Sequence, residues 1–277
     1  MTLSLLLALA LIGLVVGFVS GLIGIGGGVL IVPFLYFFYA HPAWSGVRMP
    51  GQLHTVVAHA TSLFVIVPTA ISGVRSYSKA GLVIWPAAIP IAITSVVAAI
   101  AGARLALYLP SEAVRVGFGA FLFLIGKQLL WRPPPAEGRT LRIRLPFVII
   151  IGMTVGLLSG LMGIGGGAVA APLLIYLVHL DLKQAAATSL AIAGLAAIAA
   201  AATYVISGWR AADMPAGSIG YVHLLAALPI LAGSLVSVHA GTVVNQRLHS
   251  QTLKYIFAAF FMALGVYLIW QNLPDLI

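Results

Sequence analysis

Long apolar segments follow one another along this chain, and the charged residues fall almost entirely between them. About 20 consecutive apolar residues are enough for a helix to cross the roughly 30 Å hydrocarbon core of a membrane. The pattern therefore predicts an all-α polytopic membrane protein. Ordinary spans are expected at about 53–72, 83–107, 114–130, 184–206, 219–244 and 253–270.

Two apolar stretches, 3–40 and 145–180, are longer and are interrupted by glycines. A continuous helix over the first stretch would be about 57 Å long at 1.5 Å per residue, which is too long for one crossing. We therefore predict two short legs that meet at each glycine break, as two spans or as a re-entrant hairpin.

The two interrupted stretches are near-copies of one another. The run from Val16 to Leu35 recurs 139 residues later, from Val155 to Leu174. The same offset relates Pro90 to Pro229, Gly102 to Gly241, Arg115 to Lys254, Gly126 to Gly265 and Trp131 to Trp270. This duplication predicts a first repeat over 1–131, a polar, proline-rich linker over 132–144 and a second repeat over 145–277.

The positions of Lys and Arg predict the orientation of the repeats. If each broken segment returns to its starting side, the halves are inverted, and a cytoplasmic linker places ten of the 14 basic residues inside. If each broken segment crosses once, the halves are parallel and the split is eight to six. The larger asymmetry favours inverted repeats with a cytoplasmic linker, a plan that many secondary transporters share.

Composition supports the membrane class and excludes others. Apolar residues make up 62% of the chain and charged residues 7%. The net charge of +9 does not indicate nucleic-acid binding, because the basic residues lie at segment ends, as topology signals do. The absence of cysteine excludes disulfides, thiolate metal ligands and a cysteine nucleophile.

Enzyme motifs are also missing from the sequence. Neither an HExxH motif nor a pair of intramembrane aspartates occurs, and the serine near the second break lacks the elbow pattern of serine hydrolases. We expect no enzymatic activity, no metal and no cofactor.

The glycine breaks are the first candidate binding site. Glycine permits positive φ and close approach, and successive N–H groups in such a turn can bind an anion. The residues predicted to supply these N–H groups are Gly26, Gly27, Gly28, Gly165, Gly166 and Gly167. The alternative is that the glycines only allow a tight turn between packed legs. The glycine ladders upstream, at 13, 17 and 21 and at 152, 156 and 160, are expected to serve helix packing.

A repeated Ala-Thr-Ser-Leu motif follows each break. Its hydroxyl residues, which could donate to an oxyanion, are Thr61, Ser62, Thr188 and Ser189. The alternative is that they bond to carbonyls of their own helix. Ser20 and Ser159, just before the breaks, are weaker candidates.

Acidic residues lie outside the predicted spans, which argues against a cation substrate and favours an anion or a neutral solute. His59 is then the titratable candidate near the site, either for proton linkage or for contact with the anion. Its counterpart in the second half is Ala186, and a histidine that bonds only to a carbonyl is the alternative.

These residues resemble the TauE/SafE sulfite-exporter family. The resemblance rests on the repeated G-x-x-G-x-G-G-G-x-x-x-x-P runs at Gly21–Pro33 and Gly160–Pro172, on the Ala-Thr-Ser-Leu motifs, and on Ser-Gly pairs at Ser72 and Ser207. It implies a secondary transporter in the cytoplasmic membrane of a bacterium or archaeon. The implied substrate is sulfite or a small organosulfonate or carboxylate anion.

We therefore predict a carrier that exports a small anion by alternating access, with proton linkage as an option. The expected partners are that anion and membrane lipid, with no nucleic acid, and a homo-oligomer is allowed. An anion channel would use the same donors, and an assembly subunit would use the glycines for packing alone.

Overall fold

The computed structural model describes residues 3–131, 141–248 and 250–272 of the chain. The first half contains α1 (Leu3–Ile23), α2 (Gly28–Ala40), α3 (Pro42–Ser45), α4 (Gly51–Lys79), α5 (Trp85–Ala106) and α6 (Ser111–Trp131). The second half contains α7 (Leu145–Met162), α8 (Gly167–Leu173) with a π-helical turn (Leu174–Val178), α9 (Leu182–Ser207), β1 (Ser218–Ile219), β2 (Val222–His223), α10 (Leu224–Arg247) and α11 (Ser250–Asn272). Most of the predicted linker, residues 132–140, lies outside the described residues.

Within the described residues, seven helices are long and apolar enough to cross a membrane. They are α1, α4, α5, α6, α7, α9 and α10. The predicted class, an all-α multi-pass membrane protein, is confirmed.

Two predicted helix limits are wrong. The helix expected from residue 219 begins at Leu224, because Gly217 and Gly220 adopt positive φ and the chain between them and α10 forms the short β1–β2 hairpin. The helix expected to end at residue 72 continues to Lys79, because Gly73 keeps a helical conformation and the first glycine with positive φ after it is Gly81.

The predicted pair of helical legs at each glycine break is confirmed, but the first leg is not short. Helix α1 has 21 residues and is itself long enough to span the membrane. Only the second leg is short, since the 13 residues of α2 are about 20 Å long. Helix α2 continues through Pro33, whereas in the second half the α-helix changes to the π-helical turn just after Pro172.

The upstream glycine ladders pack closely against neighbouring helices, as predicted. A Cβ at Gly13, Gly17 or Gly21 would overlap the carbonyl oxygens of Ile230, Ser234 and Val238, respectively. The contacts advance in the same direction along both helices, so α1 and α10 are parallel. The ladder of α7 packs in the same way on α5.

Helices α4 and α9, which carry the Ala-Thr-Ser-Leu motifs, lie against each other at the centre. Gly73 contacts Leu190, whereas the earlier Ala70 lies beside the later Gly194, so these equivalent helices of the two halves are antiparallel. An antiparallel pair is what inverted repeats would require.

Helix α4 runs parallel to α10, because Thr61 bonds to His223 at the start of α10 and Ser76 bonds to Thr242 near its end. Helix α1 is also parallel to α10. The segment between α1 and α4, which includes α2, therefore brings the chain back toward the side where α1 began.

Candidate functional site

Each break is a turn that only glycine adopts without strain. Gly24, Gly26 and Gly27 have φ between 75° and 80°, in the left-handed region, and their counterparts in the second half have φ between 70° and 80°. Helices α2 and α8 begin directly after these turns, with Gly27 and Gly166 as the residues that precede them.

The two breaks pack against each other across the centre of the molecule. A Cβ at Gly28 would lie 2.6 Å from Ile164 Cα, and a Cβ at Gly167 would lie 2.6 Å from Ile25 Cα. Because these contacts are with backbone atoms that cannot move aside, Gly28 and Gly167 are required for packing.

The middle glycines have softer surroundings. The nearest atom to a Cβ at Gly26 would be Ile66 Cγ2 at 3.2 Å, and the same atom would lie 3.0 Å from a Cβ at Gly165. Ile66 therefore lies beside both breaks. A Cβ at Gly27 would lie 2.8 Å from a valine side chain of α1, and a Cβ at Gly166 would lie 2.6 Å from a valine side chain of α7.

Several backbone donors at the breaks lack acceptors. The N–H groups of Leu30 and Ile31 bond to Gly27 O, and those of Val169 and Ala170 bond to Gly166 O. The preceding N–H groups form no hydrogen bond with an acceptor among the described residues. They belong to Gly27, Gly28, Val29, Gly166, Gly167 and Ala168. Both breaks therefore present free backbone donors, as an anion-binding turn would require.

Two serine hydroxyls accompany these donors. Ser20 and Ser159 are fully buried, and neither Oγ has a hydrogen-bond partner among the described residues. Ser20 Cβ would lie 3.4 Å from a Cβ at Gly27, and Ser159 Cβ would lie 3.3 Å from one at Gly166. Each break thus combines a free hydroxyl with free N–H groups at equivalent positions of the two halves.

The Ala-Thr-Ser-Leu hydroxyls are also fully buried, but they bond to the opposite half. Ser62 Oγ donates to Gly163 O at 2.8 Å. Ser189 Oγ shares its proton between Gly24 O at 2.9 Å and Ala186 O of its own helix at 3.0 Å. These bonds hold each motif against the other half's break. The serine protons are already in use.

The threonines of the same motifs are acceptors. Thr61 Oγ1 accepts from His223 N, and Thr188 Oγ1 accepts from Ile84 N, both at 3.1 Å. Since a hydroxyl accepts and donates at once, the Thr188 proton is available to another acceptor, whereas Thr61 is also hydrogen-bonded to the Tyr39 side chain. A binding role for the four motif residues stays a prediction, and the two serines would have to release these bonds to take part in it.

His59 lies against the second break and belongs to a polar chain. Its Nε2 and Tyr36 Oη are hydrogen-bonded at 2.5 Å, and its Nδ1 has no partner in the described parts of the chain. The Arg115 guanidinium carbon lies 4.5 Å from the centroid of the Tyr36 ring, and Arg115 Nε donates to Thr55 Oγ1 at 3.0 Å. This half-buried arginine supplies positive charge at the end of the polar chain that is farthest from the break.

The second half has no such chain at the equivalent positions. Ile175 stands for Tyr36, Ala186 for His59 and Leu182 for Thr55. These three residues line a small apolar cavity of about 30 Å³. The surroundings of the second break, which lies against His59, are therefore polar, and those of the first break, which lies against Ala186, are apolar.

Tyr36 and Arg115 were missed at the sequence level because they are far from His59 along the chain. The available signal was the failure of the repeat, since Tyr36 and His59 both have apolar counterparts.

One polar residue near the breaks is the same in both halves, a tyrosine of α4 and its counterpart in α9. Tyr77 Oη donates to Gly21 O and Tyr204 Oη donates to Gly160 O, each joining the long helix after a break to the one before it.

Comparison with known proteins identifies the family. The family model described as sulfite exporter TauE/SafE matches residues 9–268, which is nearly the whole chain. The chain belongs to the TauE/SafE family. It is a multi-pass membrane transporter of that family, as the resemblance predicted.

Relatives of this TauE/SafE protein occur in bacteria and archaea. A protein of Haemophilus influenzae is 30% identical over 92% of this chain and 95% of its own length. Proteins of Bacillus subtilis and Methanocaldococcus jannaschii are each 28% identical over 96% of this chain, and over 97% and 96% of their own lengths. All three carry the name "Probable membrane transporter protein". No solved structure matches the chain.

Proposed function

We propose that this transporter carries a small oxyanion, sulfite or an organosulfonate, by alternating access at the paired glycine breaks. The observation that carries the proposal is the pair of free buried hydroxyls, Ser20 and Ser159, beside free backbone N–H groups. A buried polar group without a partner costs about 1–3 kcal/mol. An anion held between these donors would supply the missing acceptor.

The donors carry no full charge, so they suit a carrier that must release its substrate. Neutral hydroxyl and amide donors favour an oxyanion without fixing it as an arginine pair would. We expect a dissociation constant between roughly micromolar and millimolar, equivalent to about 4–8 kcal/mol of binding free energy.

The polar chain gives one route toward the breaks. Arg115 would attract the anion, and Tyr36 and His59 lead from it to the second break. His59 has a free Nδ1, which could contact the anion or carry a proton with it. In the structure both breaks are buried, so movement must expose them in turn.

The broader organisation follows from the same proposal. The halves 1–131 and 145–277 would be inverted repeats in the cytoplasmic membrane, joined by a cytoplasmic linker over 132–144. The antiparallel α4–α9 pair supports inversion, because equivalent helices then approach the centre from opposite sides.

The first test is ligand-dependent thermal stabilisation of the purified protein with sulfite, sulfate, thiosulfate, alkanesulfonates, short carboxylates and chloride. A ligand at a hundredfold excess over its dissociation constant adds about 2.7 kcal/mol to the free energy of unfolding. We expect a shift with sulfur oxyanions or sulfonates that is lost in a Ser20→Ala/Ser159→Ala variant. A protein that no anion stabilises at tens of millimolar would contradict the proposal.

A further inference from the structure

A groove separate from the glycine breaks opens between α4 and α9. Its volume is about 610 Å³. The lining is largely apolar, with Ala70, Ile71 and Val74 from α4 and with Leu190, Gly194 and Ile198 from α9. Pockets that bind small organic ligands usually measure about 300–1,000 Å³.

One end of this groove is polar and basic. Arg75 and Lys79 line it, and their spacing of four residues places them on one face of α4. Both are exposed, and in the described part of the chain neither has an acidic partner within ion-pair distance. Ser78, between them, has a buried Oγ with no partner among the described residues.

The basic end coincides with a helix terminus. Lys79 is the last residue of α4, and Trp85, which also lines the groove, is the first residue of α5 and is 44% exposed. Basic residues and tryptophan concentrate where the membrane meets water. From Lys79 the groove extends nine residues along α4 to Ala70, about 14 Å toward the membrane interior.

This shape does not suit a small oxyanion. Such an ion needs a few convergent donors, and most of the groove offers only hydrocarbon. An anionic amphiphile fits better, because its chain can lie along the apolar walls while its phosphate meets two cations and a hydroxyl. We infer that the groove between α4 and α9 binds an anionic phospholipid of the surrounding bilayer.

The site belongs to one side of the molecule only. The second-half counterparts of Arg75 and Lys79 are Ala202 and Ile206, so the duplicated position has no cation. The walls come from both halves, because α4 lies in the first half and α9 in the second. A lipid bound here contacts both halves and stabilises their association.

The test compares lipid affinity by native mass spectrometry and by thermal stabilisation in detergent, using phosphatidylglycerol and phosphatidylcholine with the same chains. Each basic residue near a membrane surface contributes about 1 kcal/mol toward anionic lipid, or about fivefold in affinity. Arg75→Gln/Lys79→Gln should therefore weaken phosphatidylglycerol binding by roughly 30-fold and leave phosphatidylcholine binding unchanged. Ala191→Trp, which fills the apolar part and keeps both cations, should weaken phosphatidylglycerol binding as well.

Lys127→Gln/Arg247→Gln is the matched control, since both residues are exposed, lie near helix C-termini and do not line the groove. The control should keep wild-type affinity for phosphatidylglycerol. Equal losses in the control and in Arg75→Gln/Lys79→Gln would overturn the inference, because they would indicate a general charge effect. Stabilisation by water-soluble glycerol phosphate equal to that by phosphatidylglycerol would also overturn it, because it would indicate an anion site that does not use the groove.

Discussion

The serine pair at the breaks allows binding to be separated from folding. Ser20 and Ser159 are buried without partners, whereas Ser62 and Ser189 are buried and donate to carbonyls of the opposite half. Changing either pair to alanine removes two hydroxyl oxygen atoms near the glycine breaks. The consequences for stability and transport should nevertheless differ.

The stability effect follows from the partners. Ser20→Ala/Ser159→Ala removes two unsatisfied hydroxyls, each of which costs about 1–3 kcal/mol when buried, so the free energy of unfolding should stay constant or rise. Ser62→Ala/Ser189→Ala removes the donor to Gly163 O and the donor that Gly24 O and Ala186 O share, so three buried carbonyls have one partner fewer. It should lower the free energy of unfolding by about 1–3 kcal/mol per site.

Sulfite affinity should change in the opposite order, with the larger loss in Ser20→Ala/Ser159→Ala. A hydrogen bond to a charged group contributes about 1.5–3 kcal/mol. Loss of one serine donor should therefore weaken sulfite affinity by about 10- to 150-fold, since each 1.4 kcal/mol is tenfold. The Ser62→Ala/Ser189→Ala protein that does fold should keep an affinity within a few fold of the wild type.

The assay combines thermal unfolding of the purified variants with concentration-dependent sulfite uptake into proteoliposomes. Ser95→Ala is a further control, because this buried serine donates within its own helix, to Ala92 O. If Ser20→Ala/Ser159→Ala destabilised the protein and left the affinity unchanged, these serines would be packing residues and the reasoning would be refuted.

Three further predictions use the same contacts. Gly28→Ala should prevent folding, because its Cβ would lie 2.6 Å from backbone, whereas Gly26→Ala should fold with a loss of about 1–3 kcal/mol from its positive φ; the yield of monodisperse protein on size-exclusion chromatography checks both. Tyr36→Phe, which removes the hydroxyl bonded to His59, should lower the transport rate and reduce the free energy of unfolding by about 1–3 kcal/mol, and an unchanged rate in the folded variant would exclude this route. Tyr77→Phe and Tyr204→Phe should each reduce the free energy of unfolding by about 1–3 kcal/mol, because each leaves a buried hydrogen bond unmade; equal stability in a denaturation series would contradict this.

The sequence was sufficient to predict the spanning helices and the turns at the glycine breaks, because both depend on neighbouring residues in the chain. Apolar length predicted the spanning helices, and the dense glycines predicted turns with positive φ at both breaks. The spacing of Gly13, Gly17 and Gly21 predicted a close helix contact, although the partner helix, α10, could not be read from it.

Features that depend on tertiary contacts were beyond the sequence. Nothing near Ser62 indicates that its proton is used by Gly163, 101 residues away. Arg115 likewise reaches Tyr36 only through the packing of α6 on the first half. From the sequence, Ser20 and Ser159 were weaker binding candidates than the hydroxyls of the Ala-Thr-Ser-Leu motifs. Only the folded chain distinguishes a free hydroxyl from a bonded one.

Sulfite counterflow in proteoliposomes tests the central proposal most directly. Vesicles loaded with unlabelled sulfite should transiently accumulate labelled sulfite above the external concentration, with a rate that saturates as external sulfite rises, and Ser20→Ala/Ser159→Ala should abolish the effect at low concentration. A flux that increases linearly with concentration and shows no accumulation would identify a channel. No sulfite or sulfonate flux above that of empty vesicles, from protein that is correctly folded, would contradict an anion site at the glycine breaks.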